Sequence, residues 1–265
     1  MKFYEYGQPD APSILFLHGA NTGAWMWRSV IDRLENYHCI AVDLPGHGNS
    51  NQVDWVSFED TAHQVAELLQ ARMPSAQVSV VGTSIGGYVA MHLLSAIPQQ
   101  IDAVMISGVH AEPIPQREMM SVMHWAMPPF LPSDRLWELN ARGFNIPPSE
   151  LTKYLEQAKQ NIRQTVAKIG QQVLDFAPPQ AALQSPCRKL FLAGAREHPI
   201  ILDSLDIFQQ QALHAQCYIV PQVGHGWSNE NPDLFARTLD GWIQGHPLPP
   251  TLTPGNTSQA VEQVA

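Results

Sequence analysis

Long hydrophobic runs, basic residues and paired cysteines are what this sequence has least of. No stretch approaches the roughly twenty apolar residues that cross a bilayer, so no membrane span is expected. The first ten residues, MKFYEYGQPD, lack the basic segment and apolar stretch of a secretory leader. Lys and Arg number 15 against 24 Asp and Glu, a formal net charge of −9. That balance argues against a nucleic-acid or anionic-membrane surface and otherwise bears only on solubility. Three cysteines, Cys39, Cys187 and Cys217, are odd in number and form no CxxC pair. They read as reduced core thiols in a cytoplasmic protein, with no disulfide framework. Neither metal-ligand spacing nor a phosphate-binding loop is present, since Gly82–Gly87 lacks the lysine and spacing of a Walker motif; no cofactor is expected. Composition does not address oligomeric state.

What is present is an alternation. Short apolar runs at 13–19, 39–48, 78–84, 103–109, 189–194 and 217–222 read as strands. They are continuous rather than alternating, as in a parallel sheet covered on both faces. Between them lie helix candidates at 24–36, 57–72, 85–97, 200–213 and 231–244. Ser57 and Asp60 stand in capping-box spacing, and Asn231-Pro232 is a helix start. This pattern predicts a doubly wound, mostly parallel α/β sheet, with core segments 1–110 and 181–246. Residues 111–180 break the alternation with proline-punctuated helical pieces, an insertion between two strands. Residues 247–265 are rich in proline and polar residues and read as a disordered tail.

Gly82-Thr83-Ser84-Ile85-Gly86 joins a strand to a helix. A sharp turn there forces its corner residue into a strained conformation, and glycines two before and two after remove clashing side chains. The hydroxyl of Ser84 is left exposed above the sheet, at a helix N-terminus that favours negative charge. A glycine-rich turn with an incidental serine would account for these five residues alone. His225, between Gly224 and Gly226 after the last of these strands, changes the balance, because a serine hydroxyl needs an adjacent base. In a parallel sheet both loops lie on the same edge. Glu197, after the 189–194 strand, stands in the chain order Ser…acid…His and can orient the imidazole. Asp203, Asp206 and Glu112 compete for that place. Backbone N–H groups of Ala20 and Ile85 can hold an oxyanion. His18 and His47 read as structural residues of turns.

HGAN, DLPGHGNS, GTSIGG and GHGW, in this order, resemble the α/β-hydrolase superfamily in its compact branch with a helical lid, over about residues 13–244. The resemblance implies Ser84 as nucleophile, His225 as base, and the Ala20 and Ile85 amides as oxyanion hole. A serine excludes the branches that attack with aspartate. Glu197 departs from the commoner aspartate, and the short N-terminal part implies a reduced leading hairpin. The expected activity is hydrolysis of a small, largely apolar ester, thioester or lactone through an acyl-enzyme. The alternatives are a small-molecule receptor with little turnover, or a C–C bond hydrolase. Pocket candidates are Met123, Trp125, Met127, Phe130 and Trp137 in the insertion, and Trp227 beside the histidine.

Overall fold

A computed structural model describes residues 1–73, 77–115, 134–143, 146–160 and 164–255. Eight strands form one sheet in the order β1-β3-β2-β4-β5-β6-β7-β8. They are β1 (Lys2–Tyr6), β2 (Ser13–Leu17), β3 (His38–Asp43), β4 (Val78–Thr83), β5 (Ile101–Ser107), β6 (Arg188–Gly194), β7 (Ala215–Val220) and β8 (Thr253–Pro254). The six central strands are parallel, and β1 and β8 close the two edges antiparallel. All six runs expected from sequence are strands.

The continuous apolar character of these runs follows from burial on both faces. Leu15, Leu17, Ile40 and Val42 face helices α2 (Phe58–Arg72), α3 (Ile85–Ala96) and α8 (Pro199–Gln211). Their neighbours Ile14, Phe16, Cys39 and Ala41 face α1 (Arg28–Ile31) and α10 (Pro232–Gln244). The period of two thus sorts each strand between two cores. Cys39, Cys187 and Cys217 are free and buried in them. Among the described residues no helix is long and apolar enough to cross a membrane.

Two helix starts follow local chemistry. Ser57 Oγ accepts from the Asp60 amide at 3.0 Å, and Asn231 Oδ1 from the Leu234 amide at 3.1 Å with Pro232 at the first helical position. The 24–36 segment is shorter than expected: a 3-10 turn (Ala24–Trp27) leads into α1, which ends at Ile31. Hydrogen bonds there tighten to three residues (Leu34 N to Ile31 O, Tyr37 N to Leu34 O). That turns the chain so that the Tyr37 hydroxyl donates to Asp240 on α10 at 2.6 Å.

Between β5 and β6 the described residues carry α4 (Asp134–Gly143), α5 (Leu151–Gln160), α6 (Gln164–Leu174) and α7 (Gln180–Leu183), and no strand. The N-terminal part contributes a single strand, β1, which pairs along β3 from Lys2 to Tyr6. One expectation needs correction. The tail is ordered through residue 255: Leu252 is buried, β8 pairs with Tyr218 and Ile219, and the Gly255 amide donates to Cys217 O at 2.9 Å. Proline and polar content hid an edge strand whose stability comes from covering the sheet edge. Residues 256–265 lie outside the described residues.

Candidate active site

Ser84 occupies the corner between β4 and α3 with φ 52° and ψ −122°, a conformation that a side chain rarely tolerates. Its surroundings enforce it. The Ser84 amide donates to Ser107 O on β5 at 2.9 Å, while its own carbonyl accepts from the Gly87 and Tyr88 amides of the first helical turn. A Cβ on Gly82 would stand 2.4 Å from Gly86 O, and one on Gly86 would stand 2.1 Å from Leu17 O. Both glycines are therefore required by contact: the helix N-terminus lies directly on the ends of β2 and β4. Ser84 is half-buried at the surface of a cleft.

His225 lines the same cleft. Its loop is tied to the one carrying Glu197 by main-chain bonds, Ala195 N to Val220 O at 2.9 Å and Arg196 N to Val223 O at 3.0 Å. Glu230 reinforces the tie, accepting from the Gly224 amide at 2.9 Å and pairing with Arg196. His225 Nδ1 lies 2.8 Å from Glu197 Oε2, and the glutamate side chain is fully buried. Oε1 of the same carboxylate accepts from the Gly194 amide at 3.3 Å. A neutral imidazole in this pair carries its proton on Nδ1 and leaves Nε2 as the basic nitrogen. The ring packs on the main chain after β5: a Cβ on Gly108 would come within 2.7 Å of it. Asp203 and Glu112 are exposed, and Asp206 lies on α8.

Ala20 and Ile85 line the cleft beside Ser84. Ile85 opens α3, so its amide belongs to the first-turn N–H groups that no helical carbonyl can accept. The loop carrying Ala20 is held from below by two histidines and an aspartate. His18 Nε2 accepts from the Leu44 amide at 3.0 Å, which puts its proton on Nδ1, donated to Gly19 O at 2.7 Å. His47 Nδ1 bonds Pro45 O at 2.9 Å, and the two rings are 5.2 Å apart. Burial lowers the affinity of both rings for a proton; His47, with His18 beside it, is brought to about 3. Both are neutral structural residues. The sequence reading missed Asp43, whose buried carboxylate accepts from the Ala24 amide at 2.7 Å, the Asn49 amide at 2.8 Å and the Tyr4 hydroxyl at 3.1 Å. It ties the Ala20 loop to the loop after β3. An acidic residue ending a buried strand was the available signal.

The pocket candidates separate. Met123, Trp125, Met127 and Phe130 lie outside the described residues. Trp137 packs on Tyr154 with Ala141 and Ile146, behind residues that line the cleft. Trp227 is corrected: the chain turns at Gly226 into α9 (Trp227–Glu230) and buries the indole in the core, where it packs on Phe235 and donates to Ser107 Oγ at 2.7 Å. The residues that do line the cleft include Ile114, Ile169, Val173, Ile200 and Tyr154, from four separate segments. No sequence motif marks them.

Known proteins agree with this architecture. A protein of Gibberella zeae named as an AB hydrolase superfamily protein is 27% identical, covering 93% of this chain and 85% of its own. A 2-succinyl-6-hydroxy-2,4-cyclohexadiene-1-carboxylate synthase of Serratia proteamaculans is 28% identical, covering 91% of this chain and 97% of its own. The solved structure of a thermophilic esterase from Thermogutta terrifontis superposes with a TM-score of 0.70 at 19% identity, over 92% of this chain and 93% of that one. The family model described as "Alpha/beta hydrolase family" matches residues 14–238, and the chain belongs to that family.

Proposed function

We propose that the protein is a serine hydrolase that cleaves small, uncharged carboxylic esters through an acyl-enzyme. The observation that carries this reading is the juxtaposition around one cleft of a strained Ser84 and a His225 whose Nδ1 is 2.8 Å from buried Glu197. Strain of this kind holds a hydroxyl clear of its own helix.

Ser84 Oγ attacks the ester carbonyl as His225 Nε2 takes its proton. Glu197 steadies the imidazolium and fixes its tautomer. The amides of Ala20 and Ile85 receive the developing negative charge. His225 then returns the proton to the departing alcohol, and water repeats the sequence to free the acid and Ser84. The helical insertion between β5 and β6 acts as the lid over the cleft. The synthase relative is named for a product bearing carboxylate groups, which call for cationic side chains. In this protein Ile114, Ile169, Val173, Ile200 and Ile201 line the cleft around Ser84, and such aliphatic walls support an uncharged substrate.

The test is turnover of p-nitrophenyl acetate with Ser84→Ala and Glu197→Gln variants. Repeated turnover is expected, lost by on the order of 10⁴-fold in Ser84→Ala and 10³-fold in Glu197→Gln. A folded Ser84→Ala protein with wild-type activity overturns the proposal. A single slow turnover ending in a stable adduct would instead indicate a receptor.

A further inference from the structure

The cleft divides at Ser84 into two arms of different chemistry, which share Ala20, Ser84 and His225. One arm, a cavity of about 40 Å³, is walled largely by Ile114, Ile169, Val173, Ile200 and Ile201. The other, also about 40 Å³, is the more polar of the two, with Asn21, Thr22, Tyr154, Ser228 and Asn229 beside the apolar Met26 and Ile146. A cavity needs on the order of 10–15 Å³ by this measure to hold one water, so each arm takes about three or four heavy atoms.

We infer that the substrates are short-chain esters of polar alcohols, with the acyl chain in the isoleucine-walled arm and the alcohol in the asparagine-walled arm. This rests on the serine-hydrolase reading above and assigns its two subsites. The assignment follows from the order of bond changes. When Ser84 Oγ bonds to the carbonyl carbon, the carbonyl electron pair moves to oxygen. When that pair returns, the bond to the alcohol oxygen breaks and His225 delivers to it the proton taken from Ser84. Hydrolysis then consumes one water and releases one acid and one alcohol. The alcohol oxygen must therefore face the histidine loop. Gly226, Ser228 and Asn229, which continue that loop, line only the polar arm. Ile85, which offers the oxyanion amide, lines only the apolar arm. The acyl chain leaves the carbonyl carbon on that side, into aliphatic walls.

His110 completes the apolar arm as a fixed wall. Its Nε2 bonds Val173 O at 2.7 Å, and burial lowers the ring's affinity for a proton, so this imidazole serves as a neutral wall. The polar arm offers the side-chain amides of Asn21 and Asn229, which a hydroxylated alcohol can meet and a hydrocarbon cannot.

The experiment measures kcat/KM by pH-stat for 2-hydroxyethyl acetate, butyrate and octanoate, and for propyl butyrate, whose alcohol matches 2-hydroxyethyl in size. Each methylene buried contributes about fourfold, so the value should rise about fifteenfold from acetate to butyrate. It should fall at least tenfold for octanoate, and 2-hydroxyethyl butyrate should exceed propyl butyrate by about fivefold or more. The double variant Val173→Ala/Ile200→Ala should move the optimum toward octanoate, and Asn229→Leu should favour the propyl ester without moving the chain-length optimum. A Ser84-dependent activity that is flat across chain length overturns the inference alone, as does an optimum that moves with Asn229→Leu and not with the double variant. Absence of any hydrolysis above Ser84→Ala overturns the serine-hydrolase reading and the inference with it. The wild-type substrate series decides the matter even if a variant fails to fold.

Discussion

Replacing Ser84 by glycine should stabilise the protein relative to replacement by alanine, although glycine ordinarily has the opposite effect. Both substitutions remove the hydroxyl, so its contacts cancel in the comparison. At φ 52° and ψ −122° the alanine keeps the steric strain and the glycine does not. A residue in so sparsely populated a region carries about 1–3 kcal/mol of strain. Against this, glycine gives the unfolded chain more freedom, at a cost of about 0.4–1 kcal/mol. The methyl of alanine at this half-buried position contributes at most about 0.4 kcal/mol, half of a buried methylene. Relief of strain wins by about 1 kcal/mol, which in a chain of this size raises Tm by roughly 2–4 °C. Calorimetry and urea titration of the two variants supply the comparison. Should Ser84→Gly melt at or below Ser84→Ala, the elbow stores no strain, and the argument that links its geometry to function fails.

Acidification should destabilise the fold through His47. Its pKa is lowered to about 3, first by burial and then by His18, whereas the unfolded chain protonates near 6.5. The unfolded state therefore binds the proton first, and stability falls as pH drops from about 6.5 toward 3, by about 2 kcal/mol between pH 7 and 5. His47→Gln should lose that much less stability over this interval in urea titrations, and equal losses would refute the assignment. Truncation after His246 should lower Tm by about 4 °C or more, because it removes buried Leu252 and the pairing of β8 with β7, worth about 2 kcal/mol. An unchanged melting curve would show that residues 247–255 only decorate the edge.

The order of elements was legible in the sequence because each rests on local physics. Buried parallel strands read as unbroken apolar runs, and Ser57 and Asn231 mark helix starts with side chains that cap them. Ser84 was legible because a turn this tight tolerates only glycine at 82 and 86. Glu197 and His225 could be nominated because parallel strands deliver their loops to one edge. Their 2.8 Å approach was decided by the main-chain bonds that join the two loops. The cleft walls were beyond sequence reasoning. Ile114, Ile169, Val173 and Ile200 come from segments far apart in the chain, and each would serve equally well in a core. Trp227 shows the converse: two residues after His225 in sequence, it is turned into the core at Gly226. Thr253 and Pro254 pair with β7 although their composition suggests a loop, because an edge strand draws its stability from the sheet it covers. Local sequence determined the six parallel strands and which residue carries the strained corner. Only tertiary packing decided what surrounds Ser84, because contacts between distant segments leave no periodic trace in the chain.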